Sequence, residues 1–254
     1  MNYMKKIVAF ILICFNLTLV FGQDLNIKNQ KIVQNFIETI KTKNKEKISN
    51  LVYYPLTREY PLPEIKNKNE LLKRFDEIFD TELLTLIIKS KVKTDWSGMG
   101  WRGIMLLDGE IWLDFDGKLI GVNYQSQLEK KKKEELIAIQ KNSLHESLRN
   151  FIRPICILET SKYRIRIDDL GNDKYRYASW KLQQNMSEKP ELLLLNGKVE
   201  FDGSGGNHSY IFKSGEYTYE CSIVEIGEEG APPAYLTVSK GEKEILNQNA
   251  KIKK

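Results

Sequence analysis

Histidine and cysteine are scarce in this chain, and that scarcity removes most enzyme chemistries at the outset. Only His145 and His208 occur among 254 residues, and the three cysteines are Cys14, Cys156 and Cys221. A metal site needs His, Cys or carboxylates clustered at ligand spacing, so no metal is expected. A Ser-His-Asp or Cys-His arrangement would have to use His145 or His208, and neither has a nucleophile-elbow context. Asp and Glu abound, yet nothing singles out a glycosidase pair. Charge of one sign is lacking too. The 39 Lys and Arg stand against 34 Asp and Glu, and so balanced a surface makes nucleic acid a poor partner. The stretch Gly203-Ser204-Gly205-Gly206-Asn207-His208 lacks the Gly-Lys-Ser/Thr ending and the following helix of a phosphate loop. Nucleotide is thereby excluded, and no cofactor is expected. No internal repeat is visible.

What is present begins with a leader. Lys5 and Lys6 precede the apolar run Ile7 to Phe21, which is shorter than the roughly 20 residues a spanning helix needs. It ends in Val20-Phe21-Gly22, with small residues where a signal peptidase requires them, so residues 1–22 are expected to be a signal peptide removed on export to the periplasm or beyond. An uncleaved anchor is the alternative. A lipoprotein would use Cys14, but Ile13 occupies the place of a small lipobox residue. No later segment reaches spanning length, so no membrane span is expected after cleavage. Roughly 230 residues then remain, enough for two small domains or one large one.

Helical periodicity dominates the first half and strand alternation the second. Between them, Gln127 to Asn142 carries Lys130-Lys131-Lys132-Lys133, then Glu134-Glu135, then Leu136, Ile137 and Ile139. This pattern predicts a solvent-facing linker helix with one thin apolar stripe. A contact with lipid or a polyanion is the alternative use of the lysines. The expected domains are therefore 23–126, a linker over 127–150, an all-β module over 151–247 and a disordered Lys-rich tail over 248–254.

In the first domain, Ile32 or Val33, Phe36, Ile37 and Ile40 recur at helical spacing. Asn44 caps a second helix with Ile48, Leu51 and Val52. Prolines make Tyr54 to Pro63 extended. Asn69 is read as the cap of a third helix bearing Leu72, Phe75, Ile78 and Phe79, and Thr81 restarts it into Leu83 to Ile88. Three strands follow, Trp101 to Leu107, Glu110 to Phe115 and Lys118 to Tyr124, joined by Asp108-Gly109 and Asp116-Gly117. Two-residue Asp-Gly loops favour type I′ hairpins. That register puts Ile104, Leu106, Ile111, Leu113, Ile120 and Val122 on one aliphatic face, with Phe115 at its end. The opposite face carries Trp101, Met105, Leu107, Glu110, Trp112, Asp114, Leu119, Gly121 and Asn123. A solvated sheet face should be mainly polar. Two tryptophans and a methionine make Trp101, Met105, Glu110, Trp112, Asp114 and Asn123 a candidate binding surface.

The order helix, helix, extended segment, helix, then hairpins over about Lys28 to Tyr124 resembles the nuclear transport factor 2-like fold. The resemblance rests on element order, without a signature motif. It implies a curved sheet wrapped around helices as a cone, holding either a pocket or a dimer interface on the outer sheet face. The buried Asp, Tyr or His groups of its catalytic members have no residue-by-residue match here.

From Ile155 to Leu246 short strands alternate with turns, predicting a sandwich or small barrel. Tyr163, Ile165 and Ile167 alternate with Arg164, Arg166 and Asp168, and Tyr175 and Tyr177 alternate with Arg176 and Ala178. Asn196-Gly197 predicts a hairpin pairing Leu194 with Val199. Ser214-Gly215 predicts one pairing Phe212 with Tyr217. Cys156 and Cys221 lie in strand-like runs. In an oxidising compartment they are expected to pair, closing a loop of about 65 residues worth roughly 4 kcal/mol. Two buried thiols are the alternative.

Two further features are candidate binding elements. Ser204, Gly205, Asn207 and His208 form a flexible loop whose amides can approach a ligand or partner, unless it is a wide hairpin connection. Arg164, Arg166 and Arg176, with Tyr175 and Trp180, suit sugars or carboxylates, unless they form an ordinary solvated face. The loop region resembles, over some 30 residues and without the full cysteine pattern, the Ser-Gly-containing loop of periplasmic c-type lysozyme inhibitors. The fold class expected is thus α+β: helices on a curved antiparallel sheet, a linker helix, then an all-β module. The function expected is non-catalytic binding or scaffolding with a protein partner, a second copy, or a small ligand. An inhibitor or immunity-type protein against an envelope-directed enzyme, and a cone-pocket enzyme on a small apolar substrate, are the alternatives.

Overall fold

The computed structural model describes residues 25–253, so the leader lies outside the described residues. The N-terminal module starts with helices α1 (Ile27–Lys41) and α2 (Lys45–Leu51), then α3 (Lys68–Lys73), α4 (Phe75–Ile78) and α5 (Thr81–Lys89). Short polar side chains begin four of them. Asn26, Asn44, Asn67 and Asp80 accept from the backbone amide three residues on, satisfying donors that the helix leaves free. The third helix thus starts at Asn67, not Asn69, and buries Leu71.

These helices cover one face of an antiparallel sheet in the order β1 (Trp96–Gly98), β2 (Ile104–Leu106), β3 (Ile111–Leu113) and β4 (Leu119–Val122). The first hairpin has the expected register, with Met105 opposite Trp112 and Leu106 opposite Ile111. Its connection is wider than a two-residue turn. Glu110 and Gly109 both donate to Leu106 O, and Leu107 and Gly109 take positive φ. The second hairpin departs further. Asp114 Oδ1 accepts from the amides of Asp116 and Lys118, at 2.9 and 2.8 Å. The loop Phe115-Asp116-Gly117 then closes through Asp114 N to Lys118 O. A bulge follows, and Leu113 faces Leu119. Because one extra residue exchanges the faces, Leu119 is buried in the core while Ile120 and Phe115 are exposed. Between helices and sheet, the space is filled by Val33, Phe36, Ile40, Ile48, Phe75 and Trp96, all buried. Trp96 lies edge-on to Phe36, and its Nε1 donates to Ser90 Oγ at 2.8 Å.

Helix α6 (Gln127–Ser143) is capped by Ser126. It is no free linker. Glu129 is fully buried and accepts from Arg58 Nε at 2.9 Å and from Arg58 Nη2. Arg58 also donates to the carbonyls of Val122 and Tyr124. Lys132 and Lys133 pair with Glu77 and Glu59 at 3.0 and 2.6 Å, so part of the lysine run holds the helix to the N-terminal module.

The remainder is a closed, antiparallel, eight-stranded barrel, which decides between the sandwich and the barrel. Its strands are β5 (Arg153–Glu159), β6 (Tyr163–Gly171), β7 (Lys174–Lys181), β8 (Leu192–Phe201), β9 (His208–Ser214), β10 (Tyr217–Ile223), β11 (Ala234–Lys240) and β12 (Lys243–Lys253). They follow one another around the wall in chain order. Alternation fills the inside with Ile165, Ile167, Tyr175, Tyr177, Leu194, Phe212 and Leu236.

Four expectations fail here. Residues 248–253 are not a disordered tail but the end of β12, and Lys251, Ile252 and Lys253 pair with Glu159, Leu158 and Ile157 to close the barrel. Asn196-Gly197 is no turn. It is a bulge inside β8, where Tyr175 faces Gly197 and Tyr177 faces Leu194. Asn196 takes positive φ, and a Cβ on Gly197 would collide with the Phe212 ring. Phe212 pairs with Tyr219 rather than Tyr217, a shift of two residues that leaves every side chain on its expected face. Finally, Cys156 and Cys221 are free, buried thiols. They sit on β5 and β10, with β11 and β12 between them, nearly across the barrel. A disulfide needs Cα atoms within roughly 7 Å.

Candidate functional site: the loop rim of the barrel

Successive strands run in opposite directions, so the connections divide between two rims. One rim carries the turn at 172–173 and the loops 202–207 and 224–233; the other carries 160–162, 182–191, 215–216 and 241–242. The glycine-rich loop belongs to the first rim, and Asn207 fastens it there. Its Oδ1 accepts from the amides of Glu225 and Ile226, both at 2.9 Å, and its Nδ2 donates to Ile226 O at 2.9 Å. Asp202 N donates to Asn207 O at 2.8 Å, closing the base of the loop. Gly205 and Gly206 lie against the side chains of Ile226 and Glu225, Gly203 faces open space, and Ser204 is exposed at the tip.

His208 is held below the loop. Its Nδ1 is 2.8 Å from Gly206 O. A carbonyl only accepts, so Nδ1 carries a proton in this contact. The ring lies between Phe201 and Tyr210 at 5.5 and 5.4 Å. On the outer wall beneath, Ser209 Oγ donates to Ser222 Oγ at 3.0 Å, and Ser222 Oγ donates to Glu220 Oε1 at 3.3 Å. With Glu200, Asp202 and Tyr235 these residues line a groove of about 430 Å³. The rim is acidic. Asp202, Glu225, Glu228 and Glu229 stand on the two loops, with no Lys or Arg between 199 and 212 or between 224 and 233, although the chain as a whole carries +5. Of the groove residues, Asn207 and His208 are legible in the sequence as part of the glycine-rich loop; the others have as their signal the outward parity of Ser209, Glu220 and Ser222 on neighbouring strands.

The three arginines proposed as a binding face are engaged within the chain, and two of them are buried. Asp168, fully buried, bridges two arginines exposed by only 1% and 3%. Its Oδ1 accepts from Arg166 Nε at 2.8 Å, and its Oδ2 accepts from Arg176 Nε and Nη2 at 3.3 and 2.6 Å. Arg166 Nη2 lies 2.7 Å from Oδ1 without hydrogen-bond alignment. Arg176 also donates to the carbonyls of Leu148 and Asn150, and Arg166 to Gln140 Oε1 on α6. Phe151 lies under both guanidiniums at 4.9 and 5.7 Å. Arg164 is engaged by Glu159 and Gln184 O. The cluster is the seam between α6 and the barrel, and what sequence alternation could not reveal is that residues 144–151 cover it.

The mixed sheet face divides in two. Two of its polar side chains are engaged locally, Asp114 as above and Asn123 by donating to Gly109 O at 2.8 Å, whereas Glu110 takes part through its backbone carbonyl, which accepts from the amides of Asn123 and Tyr124. Trp112 lies half-buried over Gly109 and Gly121, beside Met105. Trp101 is not in a strand but in a 3-10 turn, and is 68% exposed. Register thus brings Met105 and Trp112 together and leaves Trp101 outside.

Burial pushes the Cys156 thiol up to about 12 and raises Cys221 well above its ordinary value, so neither is a poised nucleophile. Among the described residues, no group of three His, Cys, Asp or Glu could hold a metal ion, and no helix is long and apolar enough to cross a membrane. The fold and rim define an α+β chain in which a helical module is joined to an up-and-down barrel carrying one fastened, acidic loop edge. No protein-family model, curated protein or solved structure matches it.

Proposed function

We propose that this protein is exported and acts as a non-catalytic binding protein, its barrel engaging a cationic protein partner through loops 202–207 and 224–233. One observation carries the reading: Asn207 fastens the glycine-rich loop to its neighbour through three hydrogen bonds, holding Ser204 and the acidic residues of both loops on one edge. A loop ordered in advance loses less entropy on binding, and an edge of one charge sign steers and selects an oppositely charged partner. Export is supported by the leader ending at Gly22. The test is site-specific photocrosslinking from position 204 in the native cell. A discrete adduct in the envelope fraction, absent when the crosslinker sits at Lys213 and weakened by Asn207→Ala, is expected. Equal labelling from both positions, or none from 204, refutes the reading.

The inhibitor reading is favoured by the closed barrel that carries the Ser-Gly loop. An exposed hydroxyl and free glycine amides are donors suited to an enzyme cleft that works with carboxylates. Titrating the full chain against a c-type lysozyme tests it. Saturable inhibition lost in Ser204→Glu supports this reading, and unaffected lysozyme activity rules it out. The cone-pocket alternative needs a hollow between helices and sheet, and that space is occupied by Phe36, Phe75 and Trp96.

A further inference from the structure

We infer that the barrel mouth opposite the loop rim is a binding site for a small, neutral, mainly apolar molecule with one hydrogen-bonding head. The site is independent of the partner surface proposed above. The mouth is a cavity of about 440 Å³, within the size range of small-molecule sites. Its character changes with depth. Tyr177 and Ser179, exposed by only 2% and 6%, contribute two hydroxyls among its most buried lining residues, and Leu236 and Val238 contribute apolar wall from the opposite side of the barrel. Further out stand Leu192, Leu246 and the rings of Tyr163 and Tyr219, and at the edge Ile245 is half-exposed. A mostly apolar wall with a few convergent polar groups is the usual composition of a ligand pocket. Below it, the barrel axis is occupied by packed side chains such as Phe212 and Cys221, both fully or almost fully buried, so the ligand is limited to the mouth.

Charge decides the head group. Among the lining residues the only ionised one is Glu191, at the edge, where it pairs with Lys181 at 3.2 Å. No cation reaches the inner hydroxyls to compensate a carboxylate, and no anion reaches them to compensate an ammonium. A buried, unpaired charge is costly, whereas a hydroxyl or carbonyl is matched by the phenol and the serine.

The test uses the full chain and the neutral fluorophore N-phenyl-1-naphthylamine, displaced by 1-octanol, octanoate or octylammonium at pH 7. Saturable one-to-one fluorescence, displaced by octanol at least tenfold more effectively than by either ion, is expected. Ile245→Trp, at the exposed edge, should block the mouth and cut affinity at least tenfold with an unchanged far-ultraviolet spectrum. Tyr177→Phe should weaken octanol by about 2- to 10-fold, the worth of one hydrogen bond. Non-saturable fluorescence, equal displacement by octanoate, or binding indifferent to Ile245→Trp overturns the proposal.

Discussion

Replacing Asp168 by Asn is the sharpest available perturbation of the seam between α6 and the barrel. The carboxylate is fully buried and contacts both Arg166 and Arg176, which are themselves almost fully buried. The amide keeps the shape but removes the only anion, leaving two guanidiniums sheltered by Phe151, Gln140 and two backbone carbonyls. Breaking a buried pair by removing one partner costs about 3–5 kcal/mol. That is about a fifth or more of the roughly 5–15 kcal/mol that holds a domain folded. With a urea dependence near 3 kcal/mol per molar, the midpoint should fall by about 1–1.7 M. A control separates lost attraction from stranded charge. The triple variant Arg166→Met, Asp168→Leu, Arg176→Met removes all three charges and should lie much closer to the parent than the single variant. Urea unfolding followed by tryptophan fluorescence, to which the buried Trp180 of the barrel contributes, reads both. A loss below about 1 kcal/mol in Asp168→Asn would mean that water reaches the arginines, and the account of the seam would be wrong.

Two other outcomes are expected. Deleting residues 251–254 removes every pairing of β12 with β5 and the partly buried Ile252; near-ultraviolet circular dichroism should show loss of barrel packing, with a cost of about 3 kcal/mol or more from the ladder and the side chain together, and a native spectrum would contradict closure by these residues. Burial holds the Cys156 thiol protonated up to about 12 and raises Cys221 as well. The folded chain therefore retains protons that the unfolded chain releases above about pH 9, so this contribution is complete below that pH and is lost as pH rises toward 12. Cys156 alone accounts for about 4 kcal/mol on this basis. Urea midpoints should fall between pH 9 and 10.5, with native thiols unreactive to a disulfide reagent at pH 8; a flat profile and rapid labelling would refute it.

Much of the architecture is legible in local chemistry, and the losses have identifiable causes. Alternation correctly divides Tyr163, Ile165 and Ile167 from Arg164, Arg166 and Asp168, because a barrel wall separates inside from outside at every residue. The same alternation says nothing of what covers the outside, so the arginines look available when α6 and Phe151 bury them. Asp108-Gly109 preserves the expected pairing, whereas Asp114 captures two amides and diverts the next turn. Strand β12 escapes notice because its inward positions are Leu246, Gln248, Ala250 and Ile252, a weak apolar signal among lysines and asparagines. Two inward cysteines in one barrel resemble a bonded pair until strand order is known. In the candidate site, the loop is visible as glycine, but its fastening by Asn207 is a tertiary contact with Glu225 and Ile226.

The three-residue junction between β5 and β12 also sets an order of events. Its partners are roughly ninety residues apart, and such distant contacts form late because chain closure must precede their reward. By Ser143 the emerging chain already holds both halves of the Arg58–Glu129 pair and every strand of the first sheet. The helical module can therefore mature while the barrel is still an open, seven-stranded sheet, with β5 lacking its neighbour on one side. Until Lys253 arrives, that edge is a template for foreign strands. The interval most exposed to misassembly is thus the one before β12 reaches β5, and the residues that end it are polar and lysine-rich.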